Sequence, residues 1–600
     1  MVIGIIDSGI NKEALGNWNV KQYRVYQGKV YEEKATDYYG HGTVVFDVIR
    51  KCIQSKEKHE IISLCPGINK KGRIEQSIDS TDIAKAIELA MENGCNVINI
   101  SMGTFNIYNH RKLYDVCKNA KKRNVKIFCA RSNGYEPAIP WASGDVYKVR
   151  EKDSNTQIEI INENGIQEIV TPAYTNYYHK GENTELISGN SFACARITGL
   201  FCNELINGGN EIRNIITKYN GAEVKIIDEK FQFRKKRIRM NKVVLVSFSK
   251  EMHGLILEKN NLQYDIVGIV DSAKKGTINR DVGDLLKIEK TGLRITNRLD
   301  KITFDYDTLI IGYLKEISRV DEYFLMENIL RENLKNRKAN VYSFLPIPKE
   351  WQKIYEKEGI KFETSPVVDK RELKRIERAI PCDFKSTKPV IGVFGTTSQI
   401  GKFTMQLRMK EIFEKRKIKV FHLSTEHQAY LLGADVVLPD GYDSIENANI
   451  SYNDKMKFLR KAITYSEINS DCDMVLEGTQ AGILPSELYM WDFMFNGSFL
   501  DATKPDLGVL AVNPLGNKEI IRDTIDVLRA GFRCKTIALT FPDKLYKKNK
   551  YGISVKSKIS FEEQVEIARK MSEEFGVMSG CIMDDEFVKE VVDEIITICS

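Results

Sequence analysis

Short apolar segments that alternate with amphipathic helical stretches constrain the fold of this sequence more than any other feature. Near the amino terminus, Val2–Ile6, Val97–Ile100 and residues 125–129 are mostly apolar runs of strand length, whereas residues 81–93 have helical periodicity. Alternation of strands with helices is typical of a parallel sheet that is covered by helices on both faces. We therefore predict an α/β protein.

The same alternation recurs in two further blocks. At 600 residues the chain is too long for a single core, and we predict three α/β domains at 1–230, 241–380 and 388–600. The last two blocks have the pattern of open, doubly wound sheets. Their predicted strands lie at 243–248, 266–270, 308–312, 339–344, 390–394, 419–423, 474–476, 507–512 and 536–540.

Charge and cysteine content exclude several classes of protein. There are 89 basic and 82 acidic side chains, and a net charge of +7 over this length does not indicate nucleic acid or a membrane surface as partner. The 12 cysteines form no C-x-x-C pair, which favours reduced thiols over a disulfide framework or a zinc site. We find no signal peptide and no apolar run long enough for a membrane span, and we expect a cytoplasmic protein.

A basic stretch at residues 234–239 (RKKRIR) allows two interpretations. It could bind nucleic acid or an acidic partner, or it could be a solvated linker or strand edge beside a domain boundary. The second is favoured, because no aromatic platform or repeat accompanies the charges.

Three segments carry residues from which a nucleophilic site can be built. Asp7 follows the apolar strand VIGII, at the strand end where functional groups of parallel sheets collect. His41 lies at a predicted helix start in YGHGTVVFDVIRKC, where the small Gly42 is expected to leave room beside the imidazole. Ser191 follows ISGN and begins a helix rich in small residues, whose free N–H groups could stabilise an oxyanion.

Taken singly, these residues also have ordinary structural explanations. A strand-end aspartate is usually a turn former, and the nearly identical string that ends at Asp271 is assigned no catalysis. A serine at a helix start is usually an N-cap. Together, however, they occur along the chain in the order Asp, His, Ser. This is one of three chain orders in which unrelated proteins supply the same catalytic geometry.

The strings IIDSG, HGT and GNSFACA resemble the three signatures of the subtilase family of serine proteases. The resemblance implies a subtilisin-like parallel sheet in residues 1–230 with Asp7, His41 and Ser191 as a catalytic triad. In that chemistry the serine attacks a carbonyl, the histidine takes its proton, and the aspartate holds the imidazole and stabilises its charged form.

The same resemblance implies two further elements. Asn133, in IFCARSNGYE, would be a side-chain oxyanion donor, with a plain Asn-Gly turn as the alternative. Ser101, Met102 and Gly103, in VINISMGTF, would pair with a peptide backbone, with a buried strand end as the alternative.

The sequence departs from the family pattern around the serine. Asn190, Phe192 and Ala195 stand where the string G-T-S-M-A-x-P has threonine, methionine and proline. We expect no inhibitory prodomain before Asp7, because the first predicted strand begins at residue 2. A cytosolic protease without a prodomain must be restrained by its specificity, so we expect a narrow substrate.

A second motif lies in the third block. The strand PVIGVF leads into GTTSQIGKFT and an amphipathic helix, which is the context of a phosphate-binding loop. Five residues separate the two glycines, as in loops of the dethiobiotin-synthetase type, and a glycine-rich turn without a ligand is the alternative. The predicted phosphate-binding residues are Gly395, Thr396, Gly401, Lys402, Phe403 and Thr404.

Residues downstream of the loop support a site there. Glu477 ends the apolar strand DMVLEG, where a Mg²⁺-linked acid commonly lies, and Glu426 follows the strand KVFHLST. His422 and His427 lack partners at the spacing of a metal pair, and we interpret them as ordinary site or surface histidines.

The segments GTTSQIGKFT, LSTEHQAYLLG, LEGTQAGILP and KPDLGVLAVNP resemble, in this order, a family with a Rossmann-like half and a P-loop half. Its members include D-glutamate N-acetyltransferase-type proteins and peptide-maturation proteins of clostridial natural-product clusters. The resemblance covers about residues 241–600 and implies ATP with Mg²⁺, or acetyl-CoA, as cofactor. Thr397 stands where that family has aspartate. Two activities of the loop are therefore left as alternatives, namely hydrolysis of a bound nucleotide and binding of the phosphates of coenzyme A.

These motifs lead to three functional hypotheses. The first is a serine endopeptidase that needs no cofactor and removes the leader of a ribosomal precursor peptide, with a P-loop half that binds or modifies the product. The second is an ATP- or acetyl-CoA-dependent transferase or ligase with an accessory protease. The third is a non-catalytic scaffold that binds the precursor, against which the complete set of Asp, His, Ser and Asn argues. The expected partner is a peptide, and a homo-oligomer is compatible with the sequence.

Overall fold

The computed structural model describes two compact units. The N-terminal unit comprises Met1–Phe231, Arg378–Thr387 and Glu467–Asn469, and the C-terminal unit comprises Gln232–Glu377, Lys388–Ser466 and Ser470–Ser600. The structure describes all residues except 17, 38, 56–58, 68–77, 106–109, 133–137, 152–157, 164–165, 173–175, 181–182, 221–232, 234–237, 272–275, 315–321, 366–367, 381–385, 439–450, 469, 481, 485–490, 549–553 and 600.

The N-terminal unit is built on a largely parallel sheet. Its described strands are β1 (Val2–Ile6), β2 (Asn19–Tyr26), β3 (Lys29–Glu33), β4 (Glu60–Pro66), β5 (Val97–Ile100), β6 (Lys126–Ala130), β7 (Tyr147–Glu151), β8 (Glu159–Glu163) and β9 (Ile166–Thr171). They pair in the order β3-β2-β4-β1-β5-β6-β7-β9-β8, and only the edge pairs β2–β3 and β8–β9 are antiparallel. A separate antiparallel hairpin consists of β10 (Asn176–Lys180) and β11 (Asn183–Ile187).

Helices cover both faces of this sheet. They are α1 (His41–Cys52), α2 (Ser80–Glu92), α3 (His110–Lys122), α4 (Asn190–Ile206) and α5 (Ile212–Asn220), with a short 3₁₀ helix at Lys12–Ala14. The apolar sides of α2 and α3 pack into one hydrophobic cluster, whereas those of α1, α4 and α5 pack into another on the opposite face. A sheet buried on both faces needs near-continuous apolar strands, as the fully buried sequence VINI of β5 illustrates.

The C-terminal unit contains two parallel sheets. The first has β12 (Lys242–Val246), β13 (Asp265–Val270), β14 (Ile295–Thr296), β15 (Thr308–Ile311), β16 (Asn340–Ser343) and β17 (Phe362–Thr364), in the order β14-β13-β12-β15-β16-β17. Its helices are α6 (Lys250–Leu257), α7 (Val282–Leu286), α8 (Glu322–Asn336), α9 (Lys349–Lys357) and α10 (Lys370–Ala379), with 3₁₀ helices at Lys259–Asn261 and Leu299–Lys301.

The second sheet carries the phosphate-loop motif. Its described strands are β18 (Val390–Gly395), β19 (Val420–Ser424), β20 (Val436–Val437), β21 (Met474–Gly478), β22 (Leu507–Ala511), β23 (Lys535–Phe541) and β26 (Met578–Cys581), beside a hairpin of β24 (Lys544–Lys548) and β25 (Ser554–Lys558). The order is β20-β19-β21-β18-β22-β23-β26. The helices are α11 (Lys402–Lys415), α12 (Tyr452–Ile468), α13 (Trp491–Thr503), α14 (Lys518–Phe532), α15 (Phe561–Phe575) and α16 (Asp585–Cys599), with a 3₁₀ helix at His427–Tyr430.

The two sheets of the C-terminal unit share a hydrophobic cluster. Val244 and Leu309 of the first sheet belong to the same buried cluster as Tyr430 and Leu432, which follow β19 of the second. This common core explains why most of both predicted blocks, 241–380 and 388–600, lies within one compact unit, although residues 378–380 and 467–469 are assigned to the N-terminal unit. The domain boundary between them stays a prediction.

The predicted α/β class is confirmed, and the predicted strands are found within one or two residues of their expected ends. The prediction missed the edge strands of the N-terminal unit. Strand β2 has the sequence NVKQYRVY and alternates polar with apolar residues, because only part of it is buried. Residues 234–237 of the basic stretch lie outside the described residues.

Within the described ranges, no helix combines the length and the apolar character that a membrane crossing needs.

We predict that Gly199→Val destabilises the N-terminal unit. A Cβ atom at Gly199 in α4 would lie 2.6 Å from the backbone oxygen of Ile49 and 2.7 Å from Cβ of Cys52, both in α1. Overpacking of this kind costs about 1–3 kcal/mol, which urea unfolding would detect as a lower midpoint. Gly531→Ala in α14, where nothing lies within 4 Å of the added Cβ, is the control and should not lower the midpoint. An unchanged midpoint for Gly199→Val would contradict the close packing of α1 and α4.

Candidate active site

Asp7 and His41 are brought together at the carboxyl edge of the N-terminal sheet. Asp7 directly follows β1 and is 2% exposed, whereas His41 is the first residue of α1. The distance from His41 Nδ1 to Asp7 Oδ1 is 2.8 Å. Because a carboxylate only accepts, the imidazole donates from Nδ1, which leaves Nε2 as the nitrogen that can take a proton.

Gly42 allows a close contact between two backbone segments. A Cβ atom at this position would lie 2.3 Å from the carbonyl oxygen of Gly9 and 3.1 Å from Cβ of Asp7. The glycine therefore lets the first turn of α1 approach the segment that carries Asp7. The expectation that Gly42 leaves room beside the imidazole stays a prediction.

Asp37, which the sequence analysis did not single out, fixes the start of α1. Its Oδ2 accepts hydrogen bonds from the backbone N–H and the hydroxyl of Thr43, at 2.8 and 2.5 Å. Its Oδ1 accepts from the N–H of Gly40 at 2.8 Å and from the hydroxyl of Ser8 at 2.8 Å. Since Ser8 is bonded to Asp7 along the chain, Asp37 ties the helix that carries His41 to the segment that carries Asp7.

Both carboxylates act on the imidazole of His41. Burial by itself lowers the pKa of His41, but the hydrogen bond to Asp7 and the charges of Asp7 and Asp37 raise it, and the net effect is a raised pKa. Two negative charges beside the ring thus stabilise the imidazolium, which is the form that appears when the histidine takes a proton.

Ser191 lies in the first turn of α4, beside the strand predicted to bind substrate. Its hydroxyl donates to the carbonyl oxygen of Ser101 at 3.2 Å, rather than to the imidazole, and the hydroxyl of Ser101 donates to the carbonyl oxygen of Ser191 at 3.3 Å. The side chain of Asn99 in β5 donates to the hydroxyl of Ser101 at 2.8 Å. This network joins the end of β5 to the start of α4.

The ring of Phe192 connects Ser191 to His41. Its centroid lies 5.3 Å from that of the His41 imidazole. Phe192 replaces the methionine of the family string, and the contact places the residue after the serine directly against the histidine. The structure therefore brings Asp7 and His41 into contact and places the neighbour of Ser191 against His41, with the serine hydroxyl turned toward Ser101.

Asn190, noted in the sequence as a departure from the family string, has a positioning role. Its Oδ1 accepts from the N–H of Glu151 in β7 at 2.8 Å, and its Nδ2 donates to the carbonyl oxygen of Ser132 at 3.4 Å. Ser132 immediately precedes Asn133, the predicted oxyanion donor, which lies outside the described residues. Asn190 thereby fixes the backbone next to that position.

The remaining residues of the predicted substrate strand continue from Ser101. Met102 is half-buried and packs against the cluster on the α2 and α3 face, while Gly103 is exposed. Thr104 then pairs with Ile139 through two backbone hydrogen bonds of 3.0 Å. The carbonyl oxygen of Ser101 is thus the strand acceptor that lies nearest to the serine hydroxyl.

The phosphate-loop motif has the geometry of a cradle. Gly401 is the N-cap residue of α11 and has φ 91°. Because glycine has no side chain, it accepts no hydrogen bond from the N–H groups in the first turn of the helix. A Cβ atom at Gly395 would lie 2.8 Å from Cδ of Lys402, so the absence of a side chain at this first glycine leaves room for the aliphatic part of the lysine. Lys402 is 5% exposed, and its ammonium donates to the carbonyl oxygen of Thr397 at 2.7 Å.

Other predicted loop residues occupy different surroundings. Thr396 is buried, and its N–H donates to the carbonyl oxygen of Ala511 in β22. The side chain of Phe403 packs against the hydrophobic cluster shared by the two sheets, so only its backbone can serve a phosphate. Thr404 is half-buried in the first turn of α11.

Glu477 points away from the helix that begins at the phosphate loop. A Cβ atom at the next residue, Gly478, would collide with Gln406 of α11, so Gly478 faces α11 and Glu477 faces the opposite side of the sheet. There Glu477 is fully buried, and its Oε1 accepts from the hydroxyl of Thr503 at 2.8 Å. Among the described residues, no three His, Cys, Asp or Glu side chains are grouped to hold a metal ion.

Glu426 is the acid whose charge reaches Lys402. Burial lowers the pKa of Lys402 to about 8, and the charge of Glu426 acts in the opposite direction. Of the two interpretations of His422 and His427, the surface position is wrong, because both side chains are buried and burial lowers their pKa to about 3. They bond to Gln406 and Ser365, respectively, and stay neutral.

Comparisons with known proteins agree with the subtilisin-like fold of the first unit. The model of the subtilase family matches residues 1–203. No curated protein sequence matches the chain. A DUF1611-family protein from Anabaena variabilis is 12% identical, with a TM-score of 0.43, over 60% of this chain and 99% of that one.

Two protease structures are similar over a smaller part of the chain. The protease domain of PatA is 17% identical, with a TM-score of 0.26, over 35% of this chain and 82% of its own. The PatG macrocyclase in complex with peptide is 15% identical, with a TM-score of 0.26, over 35% of this chain and 78% of its own. These values are too low to support an argument about function.

We predict that Asp7→Asn and Asp37→Asn each lower the pKa of His41. Asp7 contributes a hydrogen bond and a charge, whereas Asp37 contributes a charge, so the larger decrease is expected for Asp7→Asn. The imidazole resonances, followed by NMR as a function of pH, would measure both. Asp47→Asn, in the same helix but paired with Arg50 and Lys51, is the matched control. An unchanged His41 titration in Asp37→Asn would show that its charge does not reach the ring.

Proposed function

We propose that the N-terminal unit is a serine endopeptidase of the subtilase type. The observation that carries the proposal is the 2.8 Å contact of His41 with the buried Asp7, with Ser191 on the adjacent first turn of α4. The match of residues 1–203 to the subtilase family model supports it.

In this mechanism a peptide pairs with the strand at Ser101, Met102 and Gly103. Without substrate, the hydroxyl of Ser191 donates to the carbonyl oxygen of Ser101 at 3.2 Å. When a peptide pairs with this strand, the hydroxyl turns away from Ser101 and donates to His41 instead. Ser191 attacks the scissile carbonyl, His41 takes the proton at Nε2 and passes it to the leaving amine, and Asp7 stabilises the imidazolium. Asn133 and the N–H groups at the start of α4 would stabilise the oxyanion.

The pH dependence follows from His41. Only the neutral imidazole can take the proton of Ser191, so cleavage requires a pH above the pKa of His41. That pKa is raised. On acidification, the activity should therefore begin to fall at a higher pH than it would with a histidine of ordinary pKa.

We further propose that the substrate is one specific precursor peptide whose leader is removed. The resemblance of residues 241–600 to peptide-maturation proteins supports this class of substrate. The half-buried ring of Phe192, whose centroid lies 5.3 Å from that of the His41 imidazole, supports a narrow specificity, because it occupies space beside the imidazole.

We predict that a fluorophosphonate probe labels the full chain at Ser191. Ser191→Ala should abolish labelling and lower peptide cleavage by at least about 10⁴-fold. Ser188→Ala removes a serine three positions earlier, whose hydroxyl donates to Glu151, and should still be labelled. Equal labelling of wild type and Ser191→Ala, measured by gel fluorescence and mass spectrometry, would rule out this nucleophile.

A second activity is proposed for the C-terminal unit, namely binding of the phosphates of ATP or coenzyme A at the loop before α11. The aliphatic stem of Lys402 passes close to Gly395, where an added Cβ atom would lie 2.8 Å from its Cδ, and its ammonium donates to the carbonyl oxygen of Thr397 within the loop. The uncapped first turn of α11 would donate its N–H groups to the same phosphate. When bound, such a cofactor supplies a phosphoryl or acyl group for transfer.

We predict that ADP binding to the full chain weakens as the pH rises from 7 to 9. The pKa of Lys402 is about 8, so the lysine is mostly protonated at pH 7 and mostly neutral at pH 9. Calorimetry with ADP, and separately with coenzyme A, would measure the affinity. Lys402→Ala should weaken binding by about tenfold or more, whereas Lys415→Ala, at the far end of α11, should not. Equal affinities for wild type and Lys402→Ala would exclude this loop as the phosphate site.

A further inference from the structure

A cavity of about 920 Å³ lies at the amino edge of the sheet in the N-terminal unit. Its lining includes Lys126 and Ile127, at the start of β6, and Tyr147 and Lys148, at the start of β7. Both strands run parallel to β1 and β5, so the predicted catalytic residues lie at the opposite edge, where the strands end. A volume of this size is typical of a site for a small organic molecule, and the proposed protease mechanism does not use it.

Lys148 brings a buried positive charge to the cavity. The residue is 8% exposed, and its ammonium donates to the carbonyl oxygen of Ser143 at 2.5 Å and lies 5.7 Å from the ring centroid of Trp141. Within the described ranges the ammonium has no other acceptor and no ion pair, and Nε1 of Trp141 is buried without an acceptor. Because an ammonium carries three donors, two of those of Lys148 are left without a partner from these residues.

Acidic side chains act on Lys148 only from a distance. Burial lowers the pKa of Lys148, whereas the charges of Glu467, Glu168 and Asp145 raise it, and the net effect is a lowered pKa. None of these three carboxylates forms an ion pair with the ammonium, and each is bonded to another group. Those groups are Ser386 and Thr387 for Glu467, Arg131 and Arg150 for Glu168, and Lys121 for Asp145. A buried charge is costly unless it is paired, so this ammonium calls for an acceptor that the described residues do not supply.

The lining of the cavity is slightly basic. Its basic residues are Lys121, Lys126, Lys148 and Arg213, and its acidic residues are Asp145, Glu211 and Glu467. Lys121 and Asp145 neutralise each other across 2.9 Å. The remaining lining residues include one more base than acid, which favours an anion over a cation as the occupant.

Another part of the cavity wall is apolar. Four isoleucines, each less than a tenth exposed, line it from three strands and one helix, namely Ile127 of β6, Ile160 of β8, Ile169 of β9 and Ile212 of α5. An apolar group placed against them is removed from water, which is favourable. The cavity thus combines an apolar surface with an ammonium that has unused donors.

A carboxylate on an aliphatic chain matches both parts of the wall. Its two oxygen atoms can accept the unused N–H groups of Lys148 and pair its charge, and its chain can cover the isoleucines. Inorganic phosphate would leave the apolar surface uncovered, and an alcohol would leave the charge of the ammonium unpaired.

We propose that this cavity binds a small aliphatic carboxylic acid as its anion, through Lys148. The site lies at the edge of the sheet opposite to Asp7, His41 and Ser191, so it is independent of the proposed protease mechanism and of the phosphate loop in the other unit.

The test is calorimetric titration of the full chain with sodium hexanoate. Lys148→Met removes the ammonium but keeps an unbranched side chain, and it should weaken hexanoate binding by about tenfold or more. Lys112→Met, at an exposed lysine of α3, is the matched control and should not. 1-Hexanol and inorganic phosphate, each of which reproduces one half of the ligand, should bind at least about tenfold more weakly than hexanoate.

A second variant guards against loss of the fold. Ile212→Trp narrows the cavity from the start of α5 and keeps Lys148, and it should weaken hexanoate binding as well. The urea midpoint of each variant, measured without ligand, shows whether the N-terminal unit is folded. Lys148→Met should not lower it, because the substitution removes a buried charge that has no ion-pair partner among the described residues.

The outcomes decide the occupant of the cavity. Hexanoate binding that is lost in Lys148→Met and weakened in Ile212→Trp supports the proposal. N-acetyl-leucyl-leucine, if it binds more tightly than hexanoate in the same Lys148-dependent manner, assigns the carboxylate to the C-terminus of a peptide instead of a free acid. Absence of hexanoate binding to the wild type would mean that the cavity holds water only, and equal binding of hexanoate to the wild type and to folded Lys148→Met would place the ligand elsewhere. Each of these last two results overturns the proposal, as would phosphate that binds as tightly as hexanoate.

Discussion

Parallel pairing of strands is the constraint on which both candidate sites depend. In a parallel sheet, the carboxyl ends of neighbouring strands lie at the same edge, where the chain leaves the sheet. In the N-terminal unit, β1 and β5 are neighbours, and their ends deliver Asp7 and Ser101. In the C-terminal unit, the ends of β18 and β19 deliver the phosphate loop and Glu426. Sequence segments that are far apart thus meet without any local signal between them.

Partly buried polar groups at these edges are stabilised by hydrogen bonds within the protein. Asp37 accepts from backbone and hydroxyl groups around the start of α1, and Asn190 joins two backbone segments beside Ser191. Each removes donors or acceptors that would otherwise be unsatisfied in a closely packed region. Lys148, at the opposite edge of the N-terminal sheet, is the contrasting case, since the described structure gives its ammonium a single acceptor.

The subtilase-like strings could be identified from the sequence because their residue types occur in a specific order within short segments. The strands before Asp7 and before the phosphate loop were predicted for a similar reason, since buried parallel strands are continuous apolar runs. Asp37 and the positioning role of Asn190 were not predicted, because their partners are set by loop and helix geometry rather than by spacing. Phe403 was assigned to the phosphate site, but its side chain completes a core that only the folded chain creates.

What the sequence determined by itself was the α/β class, the order of the strands along the chain and the identity of the motif residues. What the tertiary structure decided was which of these residues face each other. Asp7 and Asp271 end nearly identical strands, yet Asp7 contacts His41 and Asp271 accepts a hydrogen bond from Thr277. Glu477 lies on a suitable strand end but points to the other face of the sheet. The physical reason is that a strand end fixes the place of a side chain, whereas its partner is fixed by the packing of elements distant in sequence.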